Sequence, residues 1–197
     1  MSVAAIVLAA GLGSRFGEAP KVLARLGGTA LVRRVAEAAC ASRADSVVVV
    51  IGRAGAEVRA ALDGLPVSFV ENADYAQGLS TSLKAGFAAL PVDASGALVC
   101  LGDMPLLEPD ILDALIAAHE RVPDAAAIVP VHEGRRGNPV LIARRLAPEI
   151  AALDGDRGAG GILLARDDVV ELPFADDRIL VDVDTPEALA ALETRAR

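Results

Sequence analysis

Aromatic residues are scarce: Phe, Trp and Tyr together make up 3% of the chain, whereas apolar residues make up 53%. The core must therefore be built from Ala, Val, Leu and Ile, and apolar content that high excludes a disordered chain. Long hydrophobic runs are missing too. None approaches the roughly 18 residues of a membrane span, so no membrane role is expected. The opening MSVAAIVLAAG lacks the basic segment and cleavage site of a secretory signal and reads as a buried strand. Cysteine is limited to Cys40, in a helix-like stretch, and Cys100, in an apolar strand. Without a CxxC spacing they argue against a disulfide framework or a zinc site. They read instead as two free, buried thiols of a cytoplasmic protein. Positive charge is in deficit, with a net charge of −8. That argues against general affinity for nucleic acid or anionic membrane, and any phosphate ligand must meet locally concentrated cations.

What is present is alternation. VAAIVLAA, SVVVVIG, VSFVEN, ALVCLGD and AAIVPV are short, apolar and Val-rich, as buried strands are. Between them, TALVRRVAEAACAS, AGAEVRAALDG, LSTSLKAGFAAL and PDILDALIAAHE carry a helical period. This pattern predicts a single α/β domain over residues 1–197: a Rossmann-like, mixed but mostly parallel sheet with helices on both faces. After Pro130 a small β-hairpin insertion is expected around Gly134–Gly137, in VHEGRRGNPVLIA. The Gly/Asp-rich LDGDRGAGGILLA follows, then two short strands, VVELPF and ILVDVD, and a final helix, PEALAALETRA. No apolar surface stripe stands out, which reads as a monomer.

Ligands of such folds bind beyond the carboxyl ends of the strands. The residues expected there are Gly11 onward, Gly52–Arg53, Asn72, Gly102–Asp103 and Asp182–Asp184. The first of these is a glycine loop, LAAGLGSRFGEAPK. The dinucleotide fingerprint G-x-G-x-x-G fails in it, because position 16 is Phe. The P-loop fails as well, because Lys21 follows Pro20 and precedes Val22. What remains is a glycine turn whose amides can face phosphates, together with Ser14, Arg15 and Lys21. The plain alternative is a tight turn at a strand end.

LAAGLGSRFGEAPKVL resembles the signature loop of the nucleotidyltransferases, LAAG-x-S-x-R-M-G-x-x-K. NADYAQGLSTSLKAG resembles the family's G-x-x-x-S-L segment, LGDMPLLEPDIL its GD-x-P strand end, RRGNPVLI its R-G-H-P-V motif and VDVDTPEAL its D-I-D-T-P-E-D. The five occur in order over nearly the whole chain. The MobA-like group, and within it the molybdenum cofactor cytidylyltransferases, is the subgroup the chain most resembles. The resemblance implies attack of a phosphate monoester on the α-phosphorus of an NTP, with release of pyrophosphate. In that subgroup the monoester is the molybdopterin phosphate and the NTP is CTP. A monoester with a second pKa near 6 is mostly dianionic at pH 7 and needs no general base. The site must supply positioning and charge neutralisation. That fits a chain whose histidines are only His119 and His132, with His119 expected at the surface near a helix end.

Carried over residue by residue, the resemblance assigns catalysis to Arg15, Lys21 and Asp103. Mg2+, or Mn2+ in its place, would be held by Asp103 and Asp184. Asp182 is a further candidate on the same face of a strand, with Val183 opposite. Leu8, Ala10, Gly11, Gly13 and Ser14 would face the nucleotide along with Arg15, Lys21 and Asp103. Gly78, Ser80 and Ser82 would read the base. Arg135, Arg136, Gly137, Asn138 and Asp156 would meet the acceptor. The plainer readings are a helix cap for Asp103 and for Asp184, and an ordinary exposed turn for Arg135 and Arg136. The resemblance implies transient contact with molybdoenzyme maturation proteins. LAAG in place of LAGG favours CTP over GTP. Two departures bear on the acceptor: Asn138 replaces the motif's His, and Gly160 stands where an Arg is usual. A sugar or alcohol phosphate acceptor therefore stays open. So does a nucleotide-binding regulatory protein without turnover.

Overall fold

The computed structural model describes residues 1–11, 16 and 20–195. Strand β1 (Ser2–Ala9) is buried from Val3 onward and forms the middle of the sheet. It runs parallel to β4 (Ser46–Ile51) on one side and to β6 (Ala94–Leu101) on the other. β5 (Ser68–Glu71) continues the sheet beyond β4. Beyond β6 come β9 (Val140–Ala143), β7 (Ala127–His132) and β10 (Val169–Pro173), with β8 (Arg135–Arg136) paired to β7. The β9 ladders and the β7–β8 pair are antiparallel; the remaining ladders of the sheet are parallel. The sheet is mixed and mostly parallel, as the alternation predicts, and β7–β8 is the expected hairpin. A second small hairpin, β2 (Arg25–Leu26) with β3 (Thr29–Ala30), leads into α1.

The two sides of β1 explain why helices cover both faces. Val3, Ala5, Val7 and Ala9 face one apolar cluster. That cluster is completed by α1 (Leu31–Ala41), α2 (Gly55–Ala61) and α4 (Pro109–Arg121). Ala4, Ile6 and Leu8 face a second cluster with α3 (Leu79–Ala88), α5 (Ala147–Ala151) and α6 (Gly160–Leu164). Period-2 alternation with apolar residues at every position is the signature of a strand buried on both sides. A third, small cluster seats α7 (Pro186–Arg195) on Leu26, Leu31 and Val183. No helix among the described residues is long and apolar enough to cross a membrane.

The structure corrects three expectations. ILVDVD is no strand: Asp177–Leu180 is a 3-10 turn, and the following residues join no ladder. The backbone there bonds to neighbouring loops instead, Val183 N donating to the Asp103 carbonyl at 3.0 Å. Cys40 is half-buried, whereas Cys100 is buried and its thiol pKa is pushed up to about 12 by desolvation. His119 is not at the surface. It is 1% exposed on the sheet-facing side of α4, and neither ring nitrogen has a hydrogen-bond partner among the described residues. Helical period explains the miss, since His119 lies four residues after Leu115 and shares its inward stripe.

Burial pushes the His119 imidazole below its ordinary pKa, against the opposing influence of Glu120. The folded chain keeps the ring neutral, and the unfolded chain takes up a proton near pH 6.5. The stability associated with this residue is complete above that pH and is lost as pH falls from there through the folded-state value. His119→Leu is expected to lose less stability between pH 7.5 and 5.5 than the wild type in urea unfolding. Equal losses would exclude His119 as a source of acid sensitivity.

Candidate active site

β1 and β6 lie side by side at the point where the strand order reverses, and both run into loops at the same edge. Their ends touch: Gly102 N donates to the Leu8 carbonyl at 3.0 Å. A Cβ at Gly102 would lie 2.8 Å from that carbonyl oxygen, so only glycine allows the approach. The next residue, Asp103, is thereby delivered to the sheet edge. It does not cap α4, whose N-cap is Glu108. The bond from Val183 N to the Asp103 carbonyl draws in the 181–184 segment. Val183 is fully buried, so Asp182 and Asp184 turn the other way. Thr185 caps α7 through its hydroxyl, to Ala188 N at 3.2 Å, which leaves Asp184 to the site.

Carboxylate oxygens of Asp103, Asp182 and Asp184 lie within 4.8 Å of one another. Lys21 bridges two of them, its Nζ 2.5 Å from Asp103 Oδ2 and 2.7 Å from Asp184 Oδ1. Desolvation alone would lower the Lys21 pKa, but hydrogen bonds and charge from the two aspartates outweigh it and hold the ammonium charged. Asp182 is raised by desolvation and by the carboxylates of Asp184 and Asp103, with Lys21 opposing. Asp103 Oδ1 is buried with no partner among the described residues. A buried carboxylate oxygen without a donor is costly, and three carboxylates at this spacing are the donor set of a hard divalent cation. The residues present fit one.

Above the acids lies a cleft of about 480 Å³. Leu8, Ala10, Gly11, Lys21, Gly78, Ser82, Asp103, Asp156 and Asp184 all line it. Gly78 has φ 111°, and a Cβ there would sit 2.5 Å from Gly155 C. Only glycine lets α3 begin against the 155–156 turn, which Ser80 N ties down through the Gly155 carbonyl at 3.1 Å. Asp156 reaches the cleft from that turn. Buried Asn72 donates to Ser82 Oγ at 3.0 Å and Thr81 Oγ1 at 2.8 Å, fixing the first turn of α3.

Other expected residues are placed elsewhere. The Ser80 side chain is fully buried, has no partner among the described residues and does not line the cleft. Arg136, Gly137 and Asn138 line a second, adjoining cavity, which Arg135 does not reach. Arg136 Nε donates to Glu171 Oε1 of the edge strand at 2.7 Å. Gly13, Ser14 and Arg15 lie outside the described residues. Tyr75 lines the cleft beside Ala76 and was missed. As the chain's one tyrosine, just ahead of Gly78, it carried a signal that could have been read.

A doubly wound sheet with three clustered carboxylates and a bridging lysine at its switch point is the arrangement of a ligand-binding α/β protein. Comparison with known proteins gives the family: residues 5–169 match the MobA-like NTP transferase domain, and the chain belongs to that nucleotidyltransferase family. Nicotine blue oxidoreductase of Paenarthrobacter nicotinovorans is 33% identical over 196 residues, covering 96% of each chain. Molybdenum cofactor cytidylyltransferase of Escherichia coli (strain K12) is 30% identical over 192 residues, covering 96% of this chain and 95% of its own. Among solved structures, Rv0371c of Mycobacterium tuberculosis H37Rv superposes with a TM-score of 0.87 at 27% identity, over 98% of both chains. The same protein has been solved in complex with manganese, with a TM-score of 0.79 over 98% of this chain and 99% of that one.

Removing the ammonium leaves three crowded carboxylates without their bridging cation. Lys21→Ala is expected to cost about 1–2 kcal/mol in EDTA, between the exposed and buried cases of ion-pair loss. Millimolar MnCl2 should recover more of the melting temperature in the variant than in the wild type. Equal metal-induced shifts would show that Lys21 and the cation do not share these acids.

Proposed function

We propose that the chain transfers a cytidylyl group from CTP to a phosphate monoester and releases pyrophosphate. Molybdopterin is the first acceptor to test, given the similarity to the E. coli cytidylyltransferase. The observation that carries this reading is the gathering of Asp103 and Asp184 around Lys21 on the wall of the cleft, with Asp182 beside them. An oxygen of the acceptor phosphate forms a bond to the α-phosphorus. The bond from that phosphorus to the α,β-bridging oxygen breaks, and the electron pair leaves with pyrophosphate. No proton has to be removed from a dianionic nucleophile.

Asp103 and Asp184, with Asp182 beside them, would hold Mg2+ or Mn2+, which neutralises phosphate charge and aligns the α-phosphate. Lys21 would exchange its carboxylate partners for triphosphate oxygens, with Arg15 reaching the same group from the glycine loop. The Leu8–Gly11 backbone and the turn at Gly78 would flank the base, with Ser82 fixed beside it by Asn72. Asp156 stands on the acceptor side. The whole chain would act as one domain, as a monomer in the cytoplasm. A second reading, an oxidoreductase, rests on the full-length similarity to nicotine blue oxidoreductase. It predicts no pyrophosphate release with any NTP.

Pyrophosphate release with magnesium, each NTP and a phosphate acceptor separates turnover from redox chemistry and from mere nucleotide binding. CTP should be used at least about tenfold better than GTP in kcat/KM, a difference of only about 1.4 kcal/mol in transition-state binding. Equal use, or a preference for GTP, would remove the cytidylyl assignment and keep the nucleotidyltransferase. Asp103→Asn should fold normally and lose about 10²-fold in kcat; undiminished turnover would take Asp103 out of the cation site.

A further inference from the structure

The groups proposed to hold phosphate and the rest of a nucleotide share the acidic cleft, and strand order fixes the direction between them. Asp103 follows β6 and Gly52 follows β4, with the end of β1 between the two. Two strand spacings set those ends about 10 Å apart. On the β6 side stand the acids and Lys21. On the β4 side stands Tyr75, the one aromatic side chain among the residues that line the cleft. A Cβ at Gly52 would lie 3.0 Å from the Tyr75 Cβ and 2.8 Å from the Ala10 carbonyl oxygen, so Tyr75 closes directly on the ends of β1 and β4. The adjoining cavity, of about 430 Å³, is lined by no aromatic residue; Val129, Ile142 and Leu163 give it an aliphatic wall.

The Tyr75 ring is mounted on a turn that is held from two sides. Asn72 N donates to the Ile51 carbonyl at the end of β4, at 2.8 Å. Asp74 N donates to Asn72 Oδ1 at 3.0 Å. Gln77 donates twice to Asp74, through its backbone N to the carbonyl and through Nε2 to Oδ1, both at 2.8 Å. The Asn72 amide donates in turn to Thr81 and Ser82 of α3. The 3-10 turn Tyr75–Gln77 is thus tied to β4 on one side and to α3 on the other. Tyr75 is half-buried and packs on the apolar cluster that α3 shares with β1. A wall that retreats accepts a ligand of any length. A wall fixed in this way excludes by size, which is specificity built against the wrong partner.

We propose that Tyr75 sets the size of the nucleoside base. Its ring closes the cleft opposite the acid cluster, so that a single-ring base fits and a fused two-ring base does not. The proposal rests on the nucleotidyl-transfer reading for the identity of the ligand, and adds to it a residue that none of the five motifs fixes. Hydrogen bonds to the edge of the base come from the Leu8–Gly11 backbone and the Gly78 turn, whereas the limit on its length comes from Tyr75. The two contributions can be separated. Adenine presents an amine donor where guanine presents a carbonyl acceptor, yet the two rings have the same length. A change that admits both reports room and not hydrogen bonding.

Calorimetric titration with the magnesium complexes of CTP, UTP, GTP and ATP needs no acceptor and measures this limit directly. The wild type should bind CTP at least about tenfold more tightly than either purine nucleotide. Tyr75→Ala should tighten both purine nucleotides by about fivefold or more and weaken CTP, so that the preference nearly disappears. Tyr75→Phe retains the ring and should keep the preference within about twofold. Tyr75→Val keeps an apolar contact with the cluster beneath and serves for the same measurement if the Ala variant does not fold. A preference unchanged on loss of the ring, a gain for only one of the two purine nucleotides, or loss of the preference in Tyr75→Phe overturns the proposal and leaves the nucleotidyl-transfer reading in place. A wild type that takes UTP ahead of CTP, excludes both purines and admits them in Tyr75→Ala supports the size limit and removes the cytidylyl assignment. Binding of none of the four removes the reading and the proposal together.

Discussion

One ammonium group holds the site together. Asp103, Asp182 and Asp184 come from two loops, and their like charges would drive the loops apart. Lys21, from a third segment, sits between two of the carboxylates at 2.5 and 2.7 Å. Its side chain is 17% exposed and that of Asp103 13%, so the attraction is screened less than in a surface pair. The result is an acid cluster that is already assembled. In the proposed reaction a cation and a triphosphate would need only to redistribute charges that are in place, which is the preorganisation that charge-stabilising catalysis depends on.

Topology explains why these groups meet. Strands β4 and β5 lie to one side of β1, and β6 with its antiparallel neighbours to the other. The chain thus opens a crevice between neighbouring carboxyl ends. Gly102 lets the end of β6 close against β1, and Asp103 follows it directly. The 181–184 segment has no ladder of its own, and its place is set from both sides: Val183 bonds to the Asp103 carbonyl, and Asn138 N bonds to the Ile179 carbonyl. Arg178 adds a brace by pairing with Asp176 at 2.9 Å and Asp110 at 3.1 Å. The same segment therefore touches the acid cluster at one end and the hairpin at the other.

The alternation of Val-rich runs with helical periods was enough to read the sheet, its two covered faces and the strand ends where Asp103 and the glycine loop stand. Those features depend on local period and on where an apolar run stops. ILVDVD was misread because an alternating apolar pattern reports burial on one side and says nothing of a ladder partner. Its Val183 is buried by α7 and the β2–β3 hairpin rather than by a sheet. His119 was misread for the converse reason: a polar side chain on the inward stripe of a helix looks like a surface residue until the helix is docked. The Arg136–Glu171 pair joins residues 35 apart in sequence, and no spacing rule announces it. The apolar cavity was the least legible, since β6, β7, β9 and α6 each contribute only one to three residues to it.

The two cavities differ in character because different parts of the sheet build them. The acidic cleft is made at the sheet edge, where backbone ends and loop residues supply charge and amides. Their positions follow from strand order and from two obligatory glycines, Gly78 and Gly102, so changes to those glycines disturb the fold. The neighbouring cavity is made on the sheet face and under one turn of helix, mostly by side chains. Substituting Val for Leu or Gly for Arg there alters shape and polarity while the backbone stays as it is. Under the proposed reaction, a fold arranged this way would keep its nucleotide half fixed and leave its acceptor half free to change. Full-length relatives at 33% and 30% identity that carry the names of an oxidoreductase and a cytidylyltransferase fit that division. In this chain the free half is aliphatic where the family motif places an Arg, and the substrate is to be sought from that half.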